Sequence, residues 1–322
     1  MFFSPDDNKA PVLSFSNFKE SMKNFNSYYT DNFGLKPEML DSYIKFKLNV
    51  LNDNPLPEKV LIGTDGWYFL GNHHENLFDD SFGNAPLSQL ELEKIKDNIK
   101  AINENLASKG IEFHIVVPPN KHRVYSENLP YRMRQKPTRL EQINSFIKKE
   151  IDFEILDLND TLREHKTSEL LYYKTNTHWN DIAAYIGYHK TLNAIDLDIP
   201  KDSISNYNRE YGPIKRGDIT EMINIKSDEN IVYLSKKNPS DIMQLKSENH
   251  HLHFRNPNGT KKLIMYRDSF SNAWMRFFNS SFGETIYLRG YNIQPNMIAN
   301  ENPDIVIFQI VERQLSTILL SL

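Results

Sequence analysis

The 322-residue chain contains no cysteine. That absence excludes disulfide frameworks, thiolate nucleophiles, Cys-ligated zinc and iron–sulfur clusters, without fixing a compartment. No run approaches the roughly 18 consecutive apolar residues of a membrane span. Nor does one charge dominate. Against 38 Lys and Arg stand 42 Asp and Glu, a formal net charge of −4, which argues against nucleic-acid binding by bulk charge. Glycine is sparse at 12 residues, and the phosphate-cradling GxGxxG and GxxxxGKS/T patterns are missing. The GxSxG nucleophile elbow is missing too, which disfavours an ordinary α/β-hydrolase. Met1 to Pro11 carry two Asp and no apolar core, so they do not read as a signal peptide. The expectation is either a cytosolic protein or a targeting segment ahead of Met1.

What remains is an ordinary globular composition, 39% hydrophobic and 25% charged, sufficient for a packed core. At about 150 residues per domain, the length allows one large domain or two modest ones. Aromatics reach 12%. Surface aromatics stack on sugars, but most of these are expected in the core.

Periodicity places the elements. Phe15, Phe18, Met22 and Phe25 fall at helical spacing, as do Met39, Tyr43, Phe46 and Val50 after Pro37. Lys59 to Gly63 and Trp67 to Leu70 read as strands of a hairpin turning at Thr64-Asp65-Gly66. Ser88 caps a long amphipathic helix with Leu92, Ile95, Ile99, Ile102 and Leu106 on its buried stripe, ended by Gly110. Then strands at 111–117, 153–158, 262–266, 285–288 and 304–311 alternate with helices at 140–150, 179–195, 269–278 and 295–300. That alternation predicts an α/β fold, a parallel sheet with helices on both faces. Residues 203–260 break the rhythm and read as a polar insertion with short strands. The expected organisation is a helical segment, 1–58, packed on a main domain, 59–322.

In an open parallel sheet, sites form at the carboxyl ends of strands. Three such ends stand out. At Arg267-Asp268-Ser269-Phe270 a strand gives way to a helix, exposing a hydroxyl near free N–H donors. The alternative is that Asp268 or Ser269 is only a helix cap. At Lys174-Thr175-Asn176-Thr177-His178-Trp179 a histidine sits in a polar loop with an amide two residues upstream. It is either a base with an orienting neighbour or a locally capped loop histidine. At Pro118-Pro119-Asn120-Lys121 a polar turn follows a strong strand. Asn120 or Lys121 either contacts substrate and completes an oxyanion hole or belongs to a rigid surface turn. His250, His251 and His253 lack a carboxylate at ligand spacing, so no metal is expected. Glu312-Arg313 ends the final strand, as an ion pair orienting the site or as a polar exit.

Read together, these segments resemble the alginate O-acetyltransferase family of AlgX and AlgJ type. The likeness is carried, in order, by Ile62-Gly63-Thr64-Asp65-Gly66-Trp67-Tyr68-Phe69-Leu70, Val117-Pro118-Pro119-Asn120-Lys121, Tyr172-Tyr173-Lys174-Thr175-Asn176-Thr177-His178-Trp179, Gly217-Asp218-Ile219, Arg267-Asp268-Ser269-Phe270 and Val311-Glu312-Arg313. It runs from about Tyr28 to the C-terminus. The resemblance implies a three-layer α/β/α, circularly permuted SGNH-hydrolase-like fold. It implies that Ser269 takes an acetyl group as an ester, and that His178 serves as base for the serine and then for a polysaccharide hydroxyl. It implies an extracytoplasmic site, a membrane-bound O-acyltransferase as acetyl donor, and an N-terminal signal or anchor ahead of Met1.

One position departs from the family pattern. The aspartate expected to hold the histidine is Asn176 here. Asn accepts a hydrogen bond from imidazole but offers it no negative charge. Asn176 is therefore a neutral orienter, a mark of weakened or lost activity, or a deliberate substitution. Asp181 is a poor substitute by position. Ser269 N–H, with Asn120 or the backbone around Gly217, are the oxyanion candidates. Tyr173, Lys174 and Arg267 either line an acceptor groove or only pack around it. Three functions are expected to compete: a polysaccharide O-acetyltransferase, a carbohydrate acetylesterase, and a non-catalytic polysaccharide-binding or scaffold protein. No cofactor and no nucleic-acid partner are expected, and the chain is expected to act as a monomer.

Overall fold

The computed structural model describes residues 20–23, 36–51, 53–132, 136–238, 241–248 and 250–322. The chain divides between Pro55 and Leu56 into two units. In the first, Lys36–Asn49 is a helix with Pro37 in its first turn, where a missing N–H costs nothing. Residues 20–23 are helical. The stripe expected at Phe15, Phe18 and Phe25 lies outside the described residues, with only Met22 inside them.

The second unit begins with a hairpin of β1 (Val60–Ile62) and β2 (Tyr68–Leu70), paired antiparallel. Asp65 and Gly66 both have positive φ, 52° and 78°, and the Trp67 N–H donates to Thr64 O across them. This is the mirror-image turn that matches strand twist. The remaining strands are β3 (Glu112–Val117), β4 (Leu156–Asp157), β5 (Tyr207–Pro213), β6 (Asn230–Lys236), β7 (Met243–Glu248), β8 (His251–Arg255), β9 (Lys262–Arg267), β10 (Glu284–Arg289) and β11 (Ile305–Gln309).

Seven strands form the central sheet in the order β4-β3-β11-β9-β10-β8-β7. From β4 to β10 all neighbours are parallel. Side chains along β9 alternate between two cores, as a two-residue period requires. Leu263 and Met265 join one with Trp179, Tyr188, Phe277 and Phe278. Ile264 and Tyr266 join the other with Ile95, Ile99, Ile143, Ile147 and Leu315. Two cores on opposite faces make the α/β/α layering. The helices Gln89–Ala107 and Arg139–Ile151 each start with a capping box, Ser88 with Glu91 and Thr138 with Glu141.

Five expectations are refined or corrected. The sheet is not wholly parallel, because β8 runs antiparallel to β10 and pairs with β7 at the edge. Residues 203–260 therefore split in two. β5 and β6 form their own two-stranded sheet, while the β7–β8 hairpin widens the central one. The helix expected over 269–278 is broken into a 3-10 turn, Ser269–Asn272, and a helix, Met275–Ser281. Between them the Trp274 N–H reaches Ser271 O, and the buried indole donates to Ala184 O. The loop expected after Pro119 is a short helix, Lys121–Val124, with all four side chains buried. Most of its polar groups find partners: His122 Nε2 meets Leu70 O, and Arg123 meets Asp157, Glu141 and Glu312, while the buried His122 Nδ1 has none. Glu312 is accordingly not a strand exit. It opens the helix Glu312–Ser321, buried 2.8 Å from Arg123.

Candidate active site

Ser269 follows the carboxyl end of β9, whose neighbours in the sheet are β10 and β11. Asp268 caps the turn. One oxygen accepts from the Phe270 N–H at 2.8 Å and from Gln309 Nε2, and the other accepts from the Val311 N–H. The cap reading of Asp268 thus holds, and the cap is what presents Ser269. The Ser269 N–H occupies the first position of the turn, where no intrahelical acceptor exists.

The loop 173–178 is gripped from both polarities. Lys121 Nζ donates to the carbonyls of Tyr173, Lys174 and Asn176 at 3.1, 3.2 and 2.9 Å. Glu229 accepts from the N–H groups of Lys174 and Thr175 and from the Thr175 hydroxyl. Burial pushes the Lys121 ammonium down to about 7, with Asp218 and Glu229 opposing. At the loop's end, Trp179 Nε1 donates to Phe270 O at 3.0 Å, locking it to the serine turn.

So held, His178 Nε2 lies 2.8 Å from Ser269 Oγ. Its Nδ1 lies 2.9 Å from Asn176 Oδ1 and 3.1 Å from Thr177 Oγ1. The Thr177 hydroxyl donates to Asp218 Oδ2 at 2.7 Å, so toward the ring it has only lone pairs to offer. Asn176 Oδ1 also accepts the His178 backbone N–H, and Nδ2 donates to Arg216 O. Both neighbours of Nδ1 are therefore acceptors. The proton is on Nδ1, and the bare Nε2 accepts from the serine hydroxyl. Burial pulls His178 below its ordinary value. Arg313 and Lys121 add to that, and Asp218 and Asp268 oppose it.

These groups line an open cleft of about 320 Å³ with Tyr173, Asp181, Tyr233, Asn272 and Arg276. Five sequence candidates lie outside its lining. Asn120 is buried with Nδ2 on Ser81 Oγ, and Lys121 is spent on the loop carbonyls. Lys174 Nζ bonds Asp65 O. Gly217 packs where a Cβ would stand 2.4 Å from Thr220 Oγ1. Arg267 is buried and holds Asn272 Oδ1 at 2.7 Å. Asp181 faces Arg276, not His178. Sequence reasoning missed Asn272, which it placed inside a continuous helix. It also missed Asp218, which it read only as part of a family segment. Among the described residues no cluster of three His, Asp or Glu is placed to hold a metal ion, and no helix is long and apolar enough to cross a membrane.

A serine at a strand end, a histidine on it and an amide behind the histidine make an arrangement suited to nucleophilic acyl transfer. The chain matches the family model described as SGNH hydrolase-like domain, acetyltransferase AlgX over residues 60–246, more than half its length, and belongs to that family. The match includes His178 and Asn176 and stops before Ser269. The chain is also 27% identical over 132 residues to the probable alginate O-acetylase AlgJ of Pseudomonas aeruginosa, spanning 39% of this chain and 30% of that protein. In fold it is similar to PatB1 of Bacillus cereus, with a TM-score of 0.60 at 18% identity over 81% of this chain and 98% of that one. It is also similar to the O-acetyltransferase domain of Pseudomonas putida AlgJ, with a TM-score of 0.54 at 17% identity over 80% and 92%.

Proposed function

We propose that this protein is a polysaccharide O-acetyltransferase that works through an acetyl ester on Ser269. The observation that carries the reading is the 2.8 Å contact between His178 Nε2 and Ser269 Oγ, with the ring tautomer already set for proton acceptance. Ser269 Oγ attacks the acetyl carbonyl of the donor while its proton passes to Nε2. The oxyanion is met by the Ser269 N–H and by the Asn272 amide, whose oxygen is committed to Arg267 and whose NH2 remains for the cleft. Collapse expels the donor's leaving group, which takes the proton from His178. In the second half, His178 removes the proton of a sugar hydroxyl, whose oxygen attacks the acetyl carbonyl and releases Ser269.

Family membership supports the rest of the reading. The acceptor is an exported polysaccharide, the acetyl donor is fed by a membrane-bound O-acyltransferase, and the site is extracytoplasmic, held at the membrane by an anchoring segment. We take 59–322 as the catalytic domain with 1–58 as an appended helical segment, acting as a monomer. With water in place of the sugar, the same groups make an acetylesterase. The open cleft, with the His178 side chain 29% exposed, keeps that second reading in play.

The test is acetyl transfer to an oligosaccharide from a chromogenic acetate, with mass spectrometry of the trapped enzyme. Wild type is expected to transfer acetyl and carry it on Ser269, and Ser269→Ala to do neither. Equal transfer by both proteins sinks the proposal. Acetate release without transfer moves the assignment to the esterase.

A further inference from the structure

Ser-His sites of this kind pair the histidine with a carboxylate, which does two jobs. It fixes the ring's tautomer and orientation, and it stabilises the imidazolium that forms when the serine loses its proton. Asn176 can do the first and not the second. We propose that the second falls to Asp218, which places the negative charge beside His178 from a different element of the fold.

The geometry separates the two jobs atom by atom. Asp218 Oδ2 lies 3.7 Å from His178 Nδ1, the one carboxylate within 4 Å of a nitrogen of that ring among the described residues. It is fixed there by two bonds from one neighbour: the Thr177 N–H donates to Oδ1 at 2.7 Å and the Thr177 hydroxyl to Oδ2 at 2.7 Å. The same hydroxyl oxygen sits 3.1 Å from Nδ1, so it bridges ring and carboxylate. The residue next to the histidine thus connects it to a charge 40 positions further along the chain.

The surroundings of Asn176 make the complementary point. Its Nδ2 faces the Arg216 carbonyl at 2.9 Å. A carboxylate oxygen there would oppose a carbonyl oxygen with no proton between them. It would also stand beside the charge of Asp218, and like charges close together resist joint ionisation. The pocket around position 176 is built for an amide, and the charge sits where the Thr177 bonds can hold it.

The other charges facing His178 leave Asp218 this role. Arg313, from the C-terminal helix, and Lys121, from the short helix after Pro119, are cationic and work against an imidazolium. Asp268 is anionic, but its two oxygens are taken by the Phe270 and Val311 N–H groups and by Gln309. Arg216, ahead of Asp218, is paired with Glu221. During the reaction the serine proton moves to Nε2, the Nδ1 proton stays on the ring, and no proton passes to Asp218. Asp218 is a positioning and charge-supplying residue acting through His178, and this inference rests on the serine chemistry proposed above.

The experiment titrates the His178 ring by NMR in the full chain, its signal assigned with His178→Gln, and measures turnover of a chromogenic acetate against pH. In Asp218→Asn the ring titration and the acid limb of turnover are expected to move to lower pH, because the imidazolium loses its counter-charge. Turnover at the optimum falls about tenfold or more. Thr177→Val removes the bridge but keeps the charge, so its titration stays near wild type. Asn176→Asp is expected not to raise turnover. The proposal is overturned if Asp218→Asn titrates like wild type, or if Asp218→Asn and Thr177→Val shift alike, which is what a merely structural Asp218 would do. It is also overturned if Asn176→Asp turns over about tenfold faster than wild type. That last arm carries the test by itself should Asp218→Asn fail to fold. The titration needs no turnover. A wild type without an acetyl adduct would therefore remove the acetyltransferase reading and leave the Asp218 result standing.

Discussion

Lys121 and Glu229 hold one loop by its opposite groups, the ammonium taking three carbonyls and the carboxylate two N–H groups and a hydroxyl. Neither residue lines the cleft, yet the segment between them carries Asn176 and leads into His178. Two charges drawn from distant parts of the chain thus fix where the base can be, leaving its ring free to accept and return a proton.

Lys121→Met keeps the length of the side chain and removes all three donated bonds. Three carbonyls are then left without that donor, which is expected to cost about 2–4 kcal/mol. Denaturant unfolding should report the loss. Turnover should fall as well, with KM little changed, because the loop that fixes His178 is loosened and the cleft lining is intact. A variant as stable and as active as wild type would show that the loop is held without Lys121, by Glu229, Asp218 and the Trp179 indole.

The oxyanion assignment separates two asparagines. Asn272→Ala removes an amide facing the cleft and is expected to lower kcat by about 10²–10³. Asn120→Ala acts on a buried residue bonded to Ser81, so it should lower the unfolding midpoint and leave kcat within about threefold, in line with a modest buried hydrogen bond. The reverse pattern would return the oxyanion hole to Asn120.

Acid dependence follows from the burial of His178. Its pKa is lowered from 6.5, so protonation, which disables the base, sets in only at lower pH. The acid limb of kcat/KM, which reports the free enzyme, is therefore expected to have its midpoint below 6.5. A pH–rate profile with a midpoint above 6.5 would mean that the carboxylates near the ring outweigh burial.

Ser269 and His178 stood out as candidates because each lies where a strand or a helix meets a polar turn, and only the family resemblance joined them against the local-cap alternatives. Asn176 was legible as the histidine's neighbour for the same reason. Asp218 was not, since its link to Thr177 is made across 41 positions by tertiary folding. Asn272 was hidden by a run that reads as unbroken helix, and only the packing of Trp274 shows the break. Lys121 was open to reading as part of a surface turn, and with His122 and Arg123 it makes three consecutive polar residues that have no apolar period. Their burial depends on carbonyls and carboxylates supplied by other elements. β3, β9 and β11 were plain from their apolar runs, whereas β7 is largely exposed and β8 turns only Leu252 and Phe254 to the core between polar neighbours, so both read as insertion.

Strand order has a consequence for timing. β11 lies between β3 and β9, so the middle of the five parallel strands, β4 to β10, is supplied by residues 305–309. A chain emerging from the ribosome holds the strand that leads to Lys121, and then the strand that leads to Ser269, before it holds the one that joins them. Pairings so distant in sequence form slowly and leave apolar edges uncovered until they do. The serine and its base are thus brought to rest together only once residues 305–309 are made, and a chain stalled before residue 305 would have both groups and no platform on which they meet.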